Sequence, residues 1–469
     1  MYQGLAGTTL MRTQFNCCKT YNCFNLANPD LSLYQRSSQL GFASYKCPLC
    51  GAFTPILENE PILALAKQIE TNQLHLADIE CPTCLKHTET SAYGSTRIGT
   101  PRVKCNQCST VFSLLNPHKT SSTLQPLLTL LTSGVLPKDL QRLSQLNSKL
   151  FYTRLKQLAL LLQQFNQLLI QKYLSETESS VSLYTSSFTF LSRSGKGNTL
   201  KCWNLSTTDS QYGFHVLDTD NFYQHGTQKS PAGLYYLDFV EVTDDSSSSP
   251  LTTVQATYDK IFSRSKFDEL GYAYQIECQS YEGSVLRPVY AAHAHWISLS
   301  KILPEHHQFD FFLEHESFIR GGAITNLTQG IMTGRFNLYY LYTTPSEKNA
   351  ETDIEQKSIG WWGENWSTQT KQYPSGYWDV TLCALTESKE PDLEFNGTEW
   401  HQDYLNQLTQ WLPTQYQKSI SYQMSQHWRA IFNYLYNFTY SQDRRQCFAE
   451  FEFESILEIV ATLNASNSR

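Results

Sequence analysis

The chain has 469 residues, enough for two to four domains with substantial cores. Charged residues make up 17% and aromatic residues 13%, a composition that excludes a largely disordered protein. The formal charge of −7 is unevenly spread, because residues 1–200 contain 18 Lys and Arg against 10 Asp and Glu, and the remainder contains 18 against 33. The front of the chain is therefore the part suited to contact with a polyanion.

The sequence shows no secretory leader and no apolar run of eighteen residues, so we expect no membrane span. In a reducing cytoplasm, paired cysteines favour a metal over disulfides. Eight cysteines of the first quarter form two sets of four, and we expect two structural Zn²⁺ sites.

The first set is Cys18, Cys23, Cys47 and Cys50, with Cys17 as an alternative to Cys18. The run from Cys47 to Gly51 is Cys-Pro-Leu-Cys-Gly. It is typical of a zinc knuckle, because the proline fixes the turn and the glycine admits a left-handed backbone that aims amides at the sulfurs. These residues predict a first zinc ribbon within residues 1–65.

The second set is Cys81, Cys84, Cys105 and Cys108. Two pairs with this spacing are typical of a zinc ribbon, here predicted within residues 78–116. Alternating residues before Cys105 predict a strand that carries Arg102 and Lys104 on one face.

Residues 120–178 predict helices. The first begins near Ser121, the second covers 138–146, and the third begins at Lys149 after a short break. This arrangement is consistent with a helix-turn-helix whose last helix enters a major groove. Leucines and a phenylalanine at three- and four-residue steps in 155–174 predict a seam that either joins two chains as a homodimer or packs on the protein's own core.

Residues 180–345 predict a mixed α/β domain. Three strands (181–190, 200–205 and 212–217) precede a helix at 295–303, a strand at 309–313 and a strand at 337–343. Residues 346–469 are interpreted as an insertion and a helical C-terminal region, with a helix over 400–438.

The second ribbon resembles a known family. Between Cys81 and Phe112 the chain has Cys-Pro-x-Cys, then Tyr-Gly, then Gly-x-Pro-Arg-x-x-Cys-x-x-Cys and a trailing Phe, which is similar to the InsA-type zinc ribbon of insertion-sequence transposases. The resemblance implies two N-terminal ribbons, a helix-turn-helix, an α/β ribonuclease-H-like domain over 180–345, and a helical C-terminal extension. It also implies a bacterial cytoplasmic, nucleoid-associated protein whose partner is double-stranded DNA.

We expect the DNA contacts to come from basic and aromatic side chains of the second ribbon and the helix pair: Arg97, Arg102, Lys104, Lys138, Arg142, Lys149, Tyr152, Arg154 and Lys156.

Transposases of this kind hold two divalent ions with three carboxylates. The first should lie on strand 181–190, which has no acid and offers only Thr185 or Ser186. The second would be Glu314 or Glu316, and the third has candidates at Glu364, Glu394 and Glu399. Asp209, Asp218 and Asp220 are possible substitutes, although Asp209 also suits a turn and the other two suit a solvated loop. We therefore expect Mg²⁺ only if the domain is active.

Three functions remain open. The leading hypothesis is a DNA-binding protein derived from a transposase and catalytically impaired. The second is an active metal-dependent transposase with substituted ligands. The third is a protein-interaction scaffold, since zinc ribbons also bind proteins and the second half is acidic and aromatic.

Overall fold

The computed structural model describes residues 13–38, 43–70, 83, 90–97, 100–177, 180–194, 198–224, 283–305, 307–358, 365–373, 376–386 and 397–466. The chain divides into two compact units. Unit 1 comprises Met1–Lys67, Asn221–Ser300 and Leu313–Pro391, and unit 2 comprises Gln68–Asp220, Lys301–Phe312 and Asp392–Arg469.

The described strands are β1 (Gln35–Ser37), β2 (Ser44–Lys46), β3 (Phe53–Pro55), β4 (Thr90–Ser95), β5 (Pro101–Cys105), β6 (Val111–Ser113), β7 (Val181–Ser194), β8 (Asn198–Asp209), β9 (His215–Asp220), β10 (Phe222–Gln224), β11 (Gly283–Val285), β12 (Phe309–Glu314), β13 (Phe336–Pro345), β14 (Glu355–Ser358), β15 (Asn365–Tyr373) and β16 (Gly376–Ala384). The described helices are α1 (Asn59–Ile69), α2 (Pro117–Thr132), α3 (Pro137–Ser144), α4 (Ser148–Glu176), α5 (Pro288–Ser300), α6 (Ser317–Met332), α7 (Gly397–Trp411), α8 (Thr414–Gln417), α9 (Tyr422–Phe438), α10 (Gln442–Gln446) and α11 (Ile456–Ser466). The protein is thus of the mixed α/β class. Within these ranges no helix has both the length and the apolar character that a membrane crossing requires.

Unit 1 combines a small sheet, a larger sheet and a helix pair. The small sheet is the antiparallel ribbon β1-β2-β3, and the larger one has the order β14-β15-β16-β13. Helices α5 and α6 approach closely at Gly322, where a Cβ would lie 2.9 Å from Trp296 and 3.3 Å from the Ala292 backbone. A larger residue at that position would force the helices apart.

Unit 2 contains the three strands predicted after residue 180, and β7, β8 and β9 confirm them as an antiparallel meander. In this unit the strand order is β12-β7-β8-β9. The third strand begins at His215 and not at Tyr212, because the Asp209 carboxylate accepts the Tyr212 amide at 2.7 Å and holds these residues in a turn. The predicted helix at 295–303 is α5, which begins earlier, at Pro288, a residue suited to a first helical turn.

The helical part of unit 2 confirms the predicted break between two helices. Asn147 accepts a hydrogen bond from the Leu150 amide at 3.0 Å and caps α4. The predicted seam lies on α4, and its five side chains have no exposed surface: Leu155, Leu158, Leu162, Phe165 and Leu169. Phe165 contacts Tyr434 of α9, so the seam packs within the unit and is not a free surface for a second chain.

Two expectations for residues 346–469 need correction. The sequence predicted an insertion and a helical region, and no strands, for residues 346–469. The structure instead has three strands, β14, β15 and β16, in much of 355–384. The predicted helix over 400–438 is interrupted, since α7 ends at Trp411 and the separate α8 begins at Thr414, directly after Pro413. Proline lacks the amide that a continuous helix would need at this point.

A buried charge network joins β9 to α9 in unit 2. The Arg429 guanidinium lies 3.0 Å from the Asp218 carboxylate and 2.6 Å from that of Asp220. Tyr422 also donates to Asp220, at 2.9 Å. Burial raises the pKa of Asp218, but Arg429 and His215 outweigh it and hold the pKa below its usual range. The interpretation of these acids as a solvated loop is therefore wrong.

Removing the cation of this network should cost stability. We expect Arg429→Met to lower the free energy of unfolding by about 3–5 kcal/mol, because two buried carboxylates would lose their counter-charge. The matched control is Arg445→Met, whose pair with Glu454 lies at the surface and should contribute less than about 1 kcal/mol. Urea unfolding followed by circular dichroism measures both, and equal effects would contradict the role given to Arg429.

Candidate metal centre and basic surface

Four cysteines converge in the first ribbon of unit 1. The Sγ atoms of Cys18, Cys23, Cys47 and Cys50 all lie within 4.8 Å of one another. The Cys18–Cys50 pair is separated by 3.5 Å and the Cys23–Cys47 pair by 3.7 Å. Tetrahedral Zn²⁺ with bonds of about 2.3 Å to sulfur requires sulfurs about 3.8 Å apart. The four thiols therefore fit a zinc ion such as the sequence predicted.

The structure also separates the two adjacent cysteines. Cys17 is buried, and its Sγ lies 3.7 Å from the Phe15 carbonyl oxygen and 3.7 Å from Thr325 Oγ1 of α6. Cys18 points into the cluster. Of the two alternatives, Cys18 is therefore the ligand candidate and Cys17 is a packing residue.

The knuckle at Cys47 has the backbone expected for a zinc ligand. The Cys47 amide donates to Ala52 O at 2.9 Å, the Gly51 amide donates to Cys47 O at 2.9 Å, and Gly51 has a φ of 73°. Burial raises the pKa of the Cys47 thiol, but the amides of Cys50 and Leu49 and the side chain of Asn25 outweigh it and lower the pKa to about 7. This environment favours the thiolate that binds metal.

Two residues that sequence reasoning missed, Tyr34 and Asn25, also support the site. Tyr34 Oη accepts the Cys18 amide at 3.1 Å and donates to Asn28 O at 2.8 Å. Asn25 Nδ2 donates to Cys47 Sγ at 3.6 Å. Burial raises the pKa of Tyr34 to about 12, so its hydroxyl remains a donor. Neither residue has a characteristic spacing, and only the folded ribbon brings them to the thiols.

The second ribbon, in unit 2, repeats the knuckle. The Cys105 amide donates to Thr110 O at 2.9 Å and the Ser109 amide to Cys105 O at 2.9 Å, the same two bonds as at Cys47. Ser109, with a φ of 60°, takes the place of Gly51. The predicted ligands Cys81 and Cys84 lie outside the described residues, but Thr83 between them accepts from Thr110 Oγ1 at 3.0 Å. Thr83 therefore lies beside the second knuckle.

A continuous basic segment extends from the second ribbon through helices α2, α3 and α4. Residues 90–175 contain ten Lys and Arg and one acidic residue, Asp139, which pairs with Arg142 at 3.2 Å. On β5 the alternation is as predicted, since Val103 and Cys105 are buried while Arg102 and Lys104 are half-buried on the other face. Arg154 is also half-buried, and the remaining predicted contacts are exposed: Arg97, Lys138, Arg142, Lys149, Tyr152 and Lys156.

The ion pairs of the described residues involve only some of these cations. Among the residues that the structure describes, no ion pair involves Arg97, Lys104, Lys149 or Lys156. Arg97, Lys149 and Lys156 are also exposed to solvent.

Two of the predicted catalytic acids, Glu314 and Glu316, belong to unit 1, and the third, Asp209, belongs to unit 2. Asp209 is buried in unit 2, where Tyr173 Oη donates to it at 3.1 Å and the Tyr212 amide at 2.7 Å, so it makes the turn that was its alternative. Glu314 ends β12, and Glu316 is buried at the start of α6 in unit 1. Within the described ranges, no converging group of three potential ligands includes any of these three acids.

The position expected for the first carboxylate holds a hydroxyl pair. Thr185 Oγ1 on β7 lies 2.8 Å from Thr207 Oγ1 on β8, and both side chains are fully buried. Glu364 and Glu394 lie outside the described residues, and Glu399 is in the first turn of α7.

No family model, curated protein or solved structure matches this chain.

The metal assignment predicts different outcomes for adjacent cysteines. We expect Cys18→Ser to remove one equivalent of zinc from the purified protein, because three thiolates no longer close the tetrahedron. Cys17→Ser should keep it, since Cys17 Sγ lies against Phe15 and Thr325. Metal analysis by mass spectrometry under reducing conditions measures this, and equal zinc content in the two variants would contradict the assignment.

The burial of the Asp209 carboxyl group predicts that the stability of the protein depends on pH. Burial raises the pKa of Asp209 to about 6, above the value of about 3.9 in an unfolded chain. The folded protein then binds an extra proton between these values, so the free energy of unfolding should fall as pH rises from about 4 to 6. Asp209→Asn should remove this part of the dependence in denaturation curves, and an unchanged pH profile would contradict it.

Proposed function

We propose that the protein binds duplex DNA through the second ribbon and helices α2–α4, and that it derives from an insertion-sequence transposase. The observation that carries the proposal is the basic segment 90–175, with ten cations and one acid in a chain whose net charge is −7. Such a segment attracts phosphates and releases their counter-ions, which is the main source of sequence-independent affinity.

The helix pair supports base reading. Helix α4 begins at Ser148, directly after α3 and a three-residue connection. Lys149, Tyr152 and Lys156 are exposed on the first turns of α4, whereas the side chains of its seam are buried. The first turns of α4 therefore carry exposed basic side chains, while the rest of the helix is held by the packing of its buried seam. Such a helix is suited to inserting its first turns into a major groove.

The strand order supports a ribonuclease-H-like origin. Along the chain, the meander β7, β8, β9 of unit 2 is followed by α5 of unit 1 and then by β12, which lies beside β7 in unit 2. A fourth strand next to the first of three meandering strands is the arrangement that the transposase resemblance implies.

The same strands argue against DNA cleavage. The buried Thr185–Thr207 pair provides no negative charge, and two divalent ions need bridging carboxylates. We propose that the domain was retained for architecture and that its strand-transfer chemistry was lost. No role for Mg²⁺ follows. The Zn²⁺ ions that we propose for the two ribbons are structural.

One observation favours a second function, protein docking by the first ribbon. Phe24 directly follows Cys23 and is 93% exposed. Leu49 directly precedes Cys50 and is 60% exposed. Exposed apolar side chains of this size on a small ribbon are typical of a contact surface. Affinity capture with the Phe24→Ser, Leu49→Ser double variant tests it, since loss of captured proteins without loss of DNA binding would separate the two functions.

The DNA proposal predicts a salt-dependent affinity that the basic segment determines. We expect the protein to bind duplex DNA at ~50 mM salt, with a log–log slope of about −0.9 per phosphate contacted. Lys149→Ala, Lys156→Ala together should weaken binding and reduce the slope by about 2. Fluorescence anisotropy over a salt series measures both quantities.

The control is the double variant Lys348→Ala, Lys418→Ala, which removes the same charge outside segment 90–175. It should leave affinity and slope within error of the original protein. Absence of binding at ~50 mM salt, or equal effects of the two double variants, would contradict the proposal.

A further inference from the structure

The outer strand of the second ribbon contains a bulge. Strand β4 pairs with β5 through Ala92↔Val103 and then Ser95↔Pro101, so three steps on β4 face two on β5. The extra residue falls at Tyr93 and Gly94, and Gly94 has a φ of +81° that favours glycine. A bulge of this kind redirects side chains away from the regular alternation of a strand.

Tyr93 is the large side chain that this bulge presents. It is 54% exposed, and the Arg102 guanidinium carbon lies 5.7 Å from the centroid of its ring. Arg102 belongs to the central strand β5, where it pairs with Ser113 of β6. The Tyr93 ring therefore lies within cation–π distance of a side chain on the central strand of the ribbon.

Folding of the ribbon does not account for this exposure. The buried side of β5 is formed by Val103 and Cys105, and Phe112 lies opposite Val103. More than half of the surface of Tyr93 is exposed to solvent and is not packed in this core. Residues 90–116 also contain three cations and no acid, so an anionic ligand is favoured beside the ring.

We propose that Tyr93 and Arg102 form a stacking site for an unpaired nucleobase next to duplex DNA, such as a base of a single-stranded overhang. The proposal rests on the DNA-binding function proposed above. A base inside a duplex has both faces covered by its neighbours, whereas an unpaired base offers a face to an aromatic ring. Arg102 and the nearby Arg97 and Lys104 supply positive charge for the phosphates that flank such a base.

The test compares two DNA ligands of equal duplex length, one blunt and one with a short 3′ overhang that contains 2-aminopurine. We expect the overhang to bind about 5- to 100-fold more tightly than the blunt duplex and its fluorescence to be quenched on binding. Tyr93→Ala should abolish the preference and the quenching, and it should leave blunt-duplex affinity within about twofold. Tyr93→Phe keeps the ring and should keep both signals.

The outcomes separate the two proposals. If the unaltered protein binds both ligands equally, or if Tyr93→Ala weakens both equally, the stacking site is overturned while duplex binding stands. If it binds neither ligand at ~50 mM salt, the DNA-binding function itself fails. Zinc content and circular dichroism of Tyr93→Ala show whether the ribbon is intact, and a change in either would assign Tyr93 to folding instead of stacking.

Discussion

The first ribbon depends on four sulfur atoms held within 4.8 Å of one another. Its own apolar cluster is small, with Cys18, Tyr34 and Cys47 buried and few further side chains packed against them. A core of this size stabilises little without a metal, so a bound ion would replace the missing apolar contacts. Because the neighbouring Cys17 contacts Thr325 of α6, an ion at Cys18 would also help to hold the ribbon against the rest of unit 1. We therefore expect metal binding and folding to be coupled in this part of the chain.

Unit 2 holds a pair of buried acids with a cation from its own chain. Asp218 and Asp220 lie two residues apart on one face of β9, a spacing that would suit a divalent ion, but Arg429 occupies the position between them. The buried guanidinium donates a hydrogen bond to Asp220 and forms an ion pair with Asp218, and it needs no open coordination position. Asp218 and Asp220 thus stabilise the fold instead of binding a metal. The proposed loss of catalysis agrees with a sheet in which Arg429 already neutralises these two acids.

Sequence reasoning succeeded where the signal is local. The knuckle at Cys47, the break between the helices before Lys149 and the meander after residue 180 each depend on neighbours a few positions away, and the structure contains all three. It failed where the partner is distant: Asp220 meets Arg429 across 209 positions, and the seam of α4 meets α9 far along the chain. The choice between Cys17 and Cys18 likewise depended on Thr325, which no spacing rule could have supplied.

The two ribbons have the same backbone hydrogen bonds at one knuckle, but they expose different side chains to solvent. The bonds at Cys47 and Cys105 are the same, yet the first ribbon exposes Phe24 and Leu49 while the second exposes Tyr93 beside Arg102. A fold that a metal would fix leaves its outer side chains free to vary, since they are not needed for a core. On the second ribbon the two contributions respond differently to salt, because added ions screen phosphate contacts and leave base stacking largely unaffected. The charge would bring DNA to the protein, and the tyrosine would determine which DNA end stays bound as salt rises.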